Sequence, residues 1–317
     1  MLLVTGGSGF VGSALCEKLA ANFPVRISVR DKSMFNYLEN VNFVEASLSS
    51  DQDWMNALSG VSVVLHCAAR VHVMKENIAD PLTEFRRVNT DGTIQLARQA
   101  SRAGVRRFIF LSSIKVNGDI TQLGHQFTAD QIPVPGDSYG ISKHEAEIRL
   151  MELSEETGME VVIIRSPLVY GPGVKANFLS MMNWLQRGIP LPFGSVTKNR
   201  RSFVFIDNLV SMIVTCINHP AAANQTFLVS DDEDLSTAEL LERMALALGR
   251  PSKLITVPTA LIVLGAKLIG RPDISQRLCG SLQVDIRKTK DLLGWSPPVS
   301  VDEGLRQTAS HFLKIQS

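Results

Sequence analysis

Residues 2–12, LLVTGGSGFVG, set a short apolar run directly before Gly6, Gly9 and Gly12, which follow the spacing G-x-x-G-x-x-G. The run has the length and composition of a buried strand, and the segment behind it, SALCEKLAAN, has helical periodicity. Glycines between a strand and a helix allow a tight turn and close backbone approach. The helix start adds free N–H donors and a positive dipole end for a pyrophosphate. A glycine triplet alone is also compatible with a purely structural turn. The strand–turn–helix setting favours a dinucleotide site whose first contacts are Gly6, Gly9, Phe10, Val11 and Gly12.

The pattern continues outward from that turn. VRISV, VNFVEA, VSVVLHCA, RRFIFLSS and EVVIIRS alternate with the helix-period segments WMNALSG, TIQLARQASRAG and GISKHEAEIRLMELSEETG. Strands separated by helices imply right-handed crossovers and a parallel sheet, and continuous apolar strands imply a sheet covered on both faces. The expectation is an α/β fold in which residues 1–166 form a doubly wound, dinucleotide-binding (Rossmann) domain. After Pro167 the pattern loosens, with helices expected at FLSMMNWLQRG, DNLVSMIVTCINH, STAELLERMALALG and SVDEGLRQTASHFLK. Residues 167–317 are expected to form mainly a smaller α/β substrate-binding lobe at the sheet's carboxyl edge, with 203–219 returning to the first domain. Capping boxes are expected at Ser236 with Glu239 and at Ser300 with Glu303.

Composition limits the partners. The 317 residues are 45% hydrophobic and 20% charged, and 32 Lys+Arg against 31 Asp+Glu leave a net charge of +1. No field or basic stripe favours nucleic acid. Cys16, Cys67, Cys216 and Cys279 lie far apart without a Cys-x-x-Cys pair, so reduced thiols and no metal are expected. The opening residues lack a basic n-region, and the longest apolar run, VPTALIVLGAKLIG (257–270), is interrupted by Lys267 and too short to span a membrane. That run reads as a buried or interfacial helix, and the chain as cytoplasmic.

The reacting groups stand further on. YGISK places Tyr139 and Lys143 four apart, on one face of a helix. A phenol ordinarily ionises near pH 10, and an ammonium one turn away is expected to lower that value by about a unit. Such a tyrosine can exchange a proton with a carbonyl/alcohol pair while a hydride moves to or from a nicotinamide. FIFLSS brings Ser112 and Ser113 to the same sheet edge, where a hydroxyl can stabilise the developing charge. LHCAAR ends a strand with small residues, so a flat ligand can lie against Ala68 and Ala69, while His66 reads as an ordinary strand-end residue.

TGGSGFVG, HCAA, VNTDGT, SS, YGISK, RSPLVYGPG and RRSFVFIDNL, in this order, resemble the extended short-chain dehydrogenase/reductases, the nucleotide-sugar epimerase/dehydratase superfamily. With TFLVSDDEDLSTAELLERMALALGR and TKDLLGWSPPVSVDEGL the resemblance covers essentially the whole chain. It implies Tyr139 as proton donor and acceptor, and Lys143 as its partner and a ligand of the nicotinamide ribose. Ser113 is the implied catalytic hydroxyl, because Val116–Gly118 stands where the family has Val-Tyr-Gly. Ser112 is then structural. Asn89 is implied near the cofactor pocket, Asn177 and Arg201 at the substrate diphosphate, and Arg277 within reach of it. A homodimer through helices at 89–103 and 138–153 is also implied.

Two departures narrow the reaction. The family's dehydratases carry an Asp-Glu pair after the catalytic hydroxyl, where this chain has Ile114 and Lys115, which argues against dehydration. The family's Asp-Leu pair near the adenine is replaced by Ser47 and Leu48. Three readings remain: a 4-ketoreductase, a 4-epimerase with tightly held NAD, and a dinucleotide-sensing binding protein, the last disfavoured because the Tyr-Lys pair is kept. AARVHVM (68–74) and SSIKVNG (112–118) resemble bacterial UDP-N-acetylquinovosamine dehydrogenases, which reduce a UDP-4-keto-6-deoxy sugar for surface polysaccharide such as lipopolysaccharide O-antigen. Some relatives of that subgroup are 4-epimerases. His72, Met74 and Lys115 would then lie near the sugar. ISVRDKS (27–33) puts Arg30 at a strand tip where NAD-specific relatives have a ribose-binding carboxylate, and Asp31 beside it. An arginine cannot accept from a ribose 2′-hydroxyl but can pair with a 2′-phosphate, which favours NADP(H). NAD(H) stays open, with Asp31 taking the hydroxyls or Arg30 stacking on the adenine.

Overall fold

In the computed structural model, which describes residues 1–29, 41–71, 80–268, 270 and 272–316, the apolar runs become parallel strands. These are β1 (Leu2–Thr5), β2 (Val25–Val29), β3 (Val41–Glu45), β4 (Val63–His66), β5 (Arg107–Ser113), β6 (Glu160–Ser166), β7 (Leu168–Tyr170), β8 (Phe203–Phe205) and β9 (Gln225–Leu228). Seven of them form one sheet in the order β3-β2-β1-β4-β5-β6-β9, and β7 pairs with β8 apart from it. In register, Thr5 lies opposite His66 and Ser113 opposite Ser166. Strand order reverses between β1 and β4, which opens a crevice at the carboxyl ends, as a doubly wound α/β sheet requires.

Both faces of the sheet are covered. Leu2, Val4, Leu65, Ile109, Val162 and Ile164 share a core with α1 (Phe10–Ala20), α7 (Ile206–Asn218) and α11 (Arg287–Leu293). Leu3, Val64, Phe108, Phe110, Val161 and Ile163 meet α2 (Met55–Leu58), α4 (Thr93–Arg102) and α5 (Ser138–Thr157). The alternation within β1, β5 and β6 is the period of a pleated strand, and each fully buried aliphatic or aromatic side chain contributes about 1.5–3 kcal/mol. The C-terminal half crosses back through α7 and β9. Arg107, 1% exposed, holds that return: it donates to the carbonyls of Cys216 and His219 at the end of α7 (2.5 and 3.0 Å) and pairs with Glu160. A cation at helix-end carbonyls satisfies acceptors that have no helical partner.

A second core lies around Tyr170, Phe178 and Phe205, walled by α6 (Ala176–Gln186), α8 (Thr237–Ala247) and α12 (Val301–Gln316). The box at Ser236 and Glu239 opens α8 as expected. At α12 only half of it forms, because the Glu303 carboxylate takes Arg306 and Gln307 instead. The apolar run 257–270, expected as a buried or interfacial helix, forms α9 (Thr259–Leu268); only Ala266 is buried there, while Leu261, Leu264 and Leu268 are exposed, so α9 packs beside α10 (Pro272–Cys279) and is not a core helix. The four cysteines are free thiols, and burial pushes Cys16, Cys67 and Cys216 up to about 12. Among the described residues no helix is long and apolar enough to cross a membrane, and no group of three or more His, Cys, Asp or Glu is placed to hold a metal ion.

Candidate active site

The turn after β1 is built to leave room. Gly6 has φ of +73°, and a Cβ on it would stand 2.6 Å from the backbone nitrogen of Ala68. A Cβ on Gly12 would stand 2.1 Å from the Gly6 carbonyl oxygen, which already accepts from Gly9 N–H at 2.9 Å. A side chain at Gly6 would push the turn off the segment after β4, and one at Gly12 would push α1 off the turn itself. α1 begins at Gly9 with no side-chain cap, so the N–H groups of Phe10, Val11 and Gly12 remain for a ligand, while the Phe10 and Val11 side chains pack into the cores. In front lies a cleft of about 520 Å³ lined by Gly6, Gly9, Ala68 and Ala69, and also by Ser28, Ser47, Trp54, Cys67 and Val88. A cradle that a Cβ would fill, an uncapped helix start and a small-residue wall fit a dinucleotide. Arg30, Asp31, His72 and Met74 lie outside the described residues.

Ser113 ends β5, and its Oγ accepts the Lys115 N–H at 3.2 Å. Tyr139 stands in the first turn of α5, half-buried, with its ring edge-on to Phe85. The phenol does not show the lowered pKa expected from Lys143. Burial pushes it up to about 12, the Asp137 carboxylate adds to that, and only the Ser113 hydrogen bond opposes it. Lys143 is occupied elsewhere: 1% exposed, its Nζ lies 3.9 Å above the Phe110 ring, and burial lowers it to about 7 against the pull of Glu147 and Cys67. Cys67 is a wall residue of the cleft, so Lys143 is tied to the dinucleotide site and the phenol to Ser113.

Asn89 is 1% exposed and fully used. Its Oδ1 accepts from Arg70 N (2.7 Å), and its Nδ2 donates to Arg70 O (3.0 Å) and Ser142 Oγ (3.1 Å). Ser142 Oγ then donates to Tyr139 O at 2.8 Å. This relay locks the cleft wall after β4 to the turn that carries the phenol. It rests on a π-helical stretch, Arg86–Gly92, between α3 (Pro81–Phe85) and α4. Irregular turns of this kind often mark functional positions. His66 is buried between Thr5 Oγ1 (2.6 Å) and Thr93 Oγ1 (2.9 Å), and burial lowers it to about 3, so it is a satisfied core histidine.

Ser112 is structural: its Oγ donates to Glu147, which Arg165 clamps with Nε and Nη2 (2.6 Å for the shortest contact), while Arg165 Nη1 reaches Asn117 Oδ1 at 3.0 Å. Sequence reading missed Ser142, Glu147, Arg165 and the cleft residues Ser28, Trp54 and Val88. Asp137 was missed as well, although an aspartate just before a helix-period segment is an N-cap signal; its Oδ1 accepts Gly140 N–H at 2.7 Å. At the other end of the site, Arg201 is half-buried and donates to the Gly280 carbonyl at 3.3 Å, and burial followed by the charge of Arg277 lowers its pKa. Asn177 is exposed in the first turn of α6, with no hydrogen-bond partner among the described residues.

Known proteins resemble this chain in sequence and in fold. A protein of Vibrio cholerae named UDP-glucose 4-epimerase is 50% identical over 316 residues, covering 100% of this chain and 96% of its own length. Among solved structures, the NAD complex of UDP-glucuronic acid 4-epimerase from Bacillus cereus superposes with a TM-score of 0.79 at 20% identity, covering 99% of this chain and 96% of its own. UDP-glucose 4-epimerase of Thermotoga maritima with UDP-glucose gives 0.78 at 24%, covering 100% and 99%. Residues 2–230 match the NAD dependent epimerase/dehydratase family, and this chain belongs to it.

Proposed function

We propose that this chain is an NAD(P)-dependent nucleotide-sugar 4-ketoreductase, reducing a UDP-4-keto-6-deoxy-N-acetylhexosamine to UDP-N-acetylquinovosamine. The observation that carries the reading is a glycine-cradled cleft at the carboxyl ends of β1 and β4, with Ser113 at the end of β5 and Tyr139 in the first turn of α5. A dinucleotide bound in the cleft supplies the hydride for C4. Tyr139 gives its proton to the C4 oxygen, so the ketone gains one hydride and one proton and becomes the alcohol. Ser113 holds that oxygen, and Lys143, whose ammonium lies over Phe110, takes the nicotinamide ribose. Arg201, Arg277 and Asn177 take the diphosphate, within a division of labour in which residues 1–166 bind the dinucleotide and 167–317 mainly the sugar nucleotide.

Elimination of water has no carboxylate pair to serve it: Ile114 is buried at 4% exposure and the Lys115 ammonium is held by Asp119 and Asp137. A second reading, a UDP-sugar 4-epimerase returning the hydride to the opposite face, is favoured by the 50% identical relative. The same two readings differ in cofactor. Arg30 supports NADP(H), while the family and the NAD-bound Bacillus cereus neighbour support NAD(H). We place the enzyme in the cytoplasm as a homodimer.

One experiment separates the readings: NADPH or NADH with a UDP-4-keto-6-deoxy sugar in one vessel, UDP-N-acetylglucosamine or UDP-glucose without reductant in the other. Consumption of reduced cofactor in the first supports the reductase. Interconversion of two UDP-sugars in the second, with NAD retained through purification, replaces it with the epimerase. Tyr139→Phe abolishes turnover in the productive vessel. Arg30→Asp moves the ratio of cofactor efficiencies towards NAD(H), and an unchanged ratio removes the argument for NADP(H).

A further inference from the structure

The residue that stands in place of a dehydratase carboxylate is engaged by two carboxylates of its own. Lys115 Nζ pairs with Asp119 Oδ1 and lies 3.1 Å from Asp137 Oδ2. Asp137 divides its oxygens: Oδ2 faces Lys115, while Oδ1 caps α5 by accepting Gly140 N–H at 2.7 Å. The backbone of Lys115 joins the same assembly. Its N–H donates to Ser113 Oγ, and its carbonyl oxygen lies 2.7 Å from where a Cβ on Gly140 would stand. One residue thus touches the hydroxyl of Ser113, the cap of the helix bearing Tyr139, and the loop at Asp119.

We propose that Lys115 is a positioning residue of the reaction: by pairing with Asp137, the N-cap two residues before Tyr139, it offsets that carboxylate's charge and fixes the start of α5 against Ser113, and so governs proton exchange at Tyr139. The proposal rests on the acid–base role of Tyr139 given above. The groups facing the phenol can be enumerated. Ser113 comes from β5, Asp137 precedes Tyr139 on α5, and Phe85 packs from α3 without charge. Lys143 lies one turn on, turned to Phe110, Glu147 and Cys67, with neutral His66 behind it. Arg86 on the α3 side is bound to Glu145. Asp137 is therefore the one anion that acts on Tyr139 among the described residues, and Lys115 and the α5 cap are its two partners. The chemistry follows by sign. Loss of the ammonium leaves the Asp137 charge uncompensated, which disfavours the phenolate.

The test measures the alcohol-oxidising direction with saturating cofactor across pH 6–10, where rate is proportional to the phenolate population. Lys115→Met is expected to move the rate–pH curve up by about one unit, a tenfold loss at a given pH, with KM for the nucleotide sugar within twofold. Lys115→Arg restores the wild-type curve. Asp137→Asn, which keeps the cap but drops the charge, moves the curve down, and Lys115→Met on top of it adds no further shift. An unshifted Lys115→Met curve, a loss rather than a gain in Asp137→Asn, additivity of the two substitutions, or a tenfold rise in KM alone would each overturn the proposal. Tyr139→Phe is the control: an inactive Tyr139→Phe beside an unshifted Lys115→Met rejects the role of Lys115 only, whereas an active Tyr139→Phe rejects the acid–base reading itself.

Discussion

Helix α5 carries an anion on each side of its reacting pair, and the two are held in opposite ways. Asp137, before Tyr139, is about one-third exposed and shares its oxygens between the helix cap and Lys115. Glu147, one turn after Lys143, is 4% exposed and saturated by Arg165, Ser112 and, at 4.0 Å, His144. Water screens the first pair, so its worth lies in electrostatic bias on a neighbouring phenol rather than in fold stability. The second is stripped of water, so breaking it costs far more than forming it gains. The same residue chemistry therefore adjusts reactivity at one end of the helix and enforces geometry at the other.

The comparison breaks most visibly at the buried end. Arg165→Met leaves Glu147 charged without a cation and is expected to cost about 3–5 kcal/mol, read as a lower denaturant midpoint at unchanged m value. A midpoint close to wild type would mean that Glu147 is not desolvated. Lys143→Met goes the other way. The folded protein releases the Lys143 proton near 7 and the unfolded chain near 10.5, so the unfolded state binds more protons between those values and stability rises with pH there. The penalty is complete below pH 7 and gone above 10.5. The variant should gain about 2–4 kcal/mol below pH 7, with the gain fading at alkaline pH, while losing activity. Thermal unfolding at pH 6 and pH 10 checks the difference. The smallest effect is at the exposed end: Asp137→Ala should cost about 1 kcal/mol through its cap, and Asp137→Asn almost nothing. A larger loss in Asp137→Asn would assign the ion pair a structural weight that its exposure argues against.

How much of this was legible follows the range of the interactions. The glycine turn, the alternating strands and the Tyr139–Lys143 spacing are local, and the structure places them as the sequence implied. What Lys143 faces is not local: β5 brings Phe110 beneath it, which occupies the ammonium and leaves the phenol above its ordinary pKa. Arg165 and Glu147 meet only because β6 lies beside β5 and under α5. The Asn89–Ser142 relay depends on a π-helical stretch that a period of 3.6 does not reveal. The run around α9 left a buried and an interfacial helix open, since apolar content does not say where a helix lands, and the exposed leucines exclude the buried one. The sugar end was read from the resemblance alone.

His66 has a consequence for how the enzyme responds to its surroundings. An imidazole beside a cofactor cleft would ordinarily sense mild acidification, changing its charge between about pH 5 and 8. Clasped by two threonine hydroxyls and lowered to about 3, it stays neutral throughout that range. Lys143, lowered to about 7, is then the described neighbour whose charge follows small changes in acidity. The imidazole serves as scaffolding, and the buried ammonium beside it carries the responsive charge.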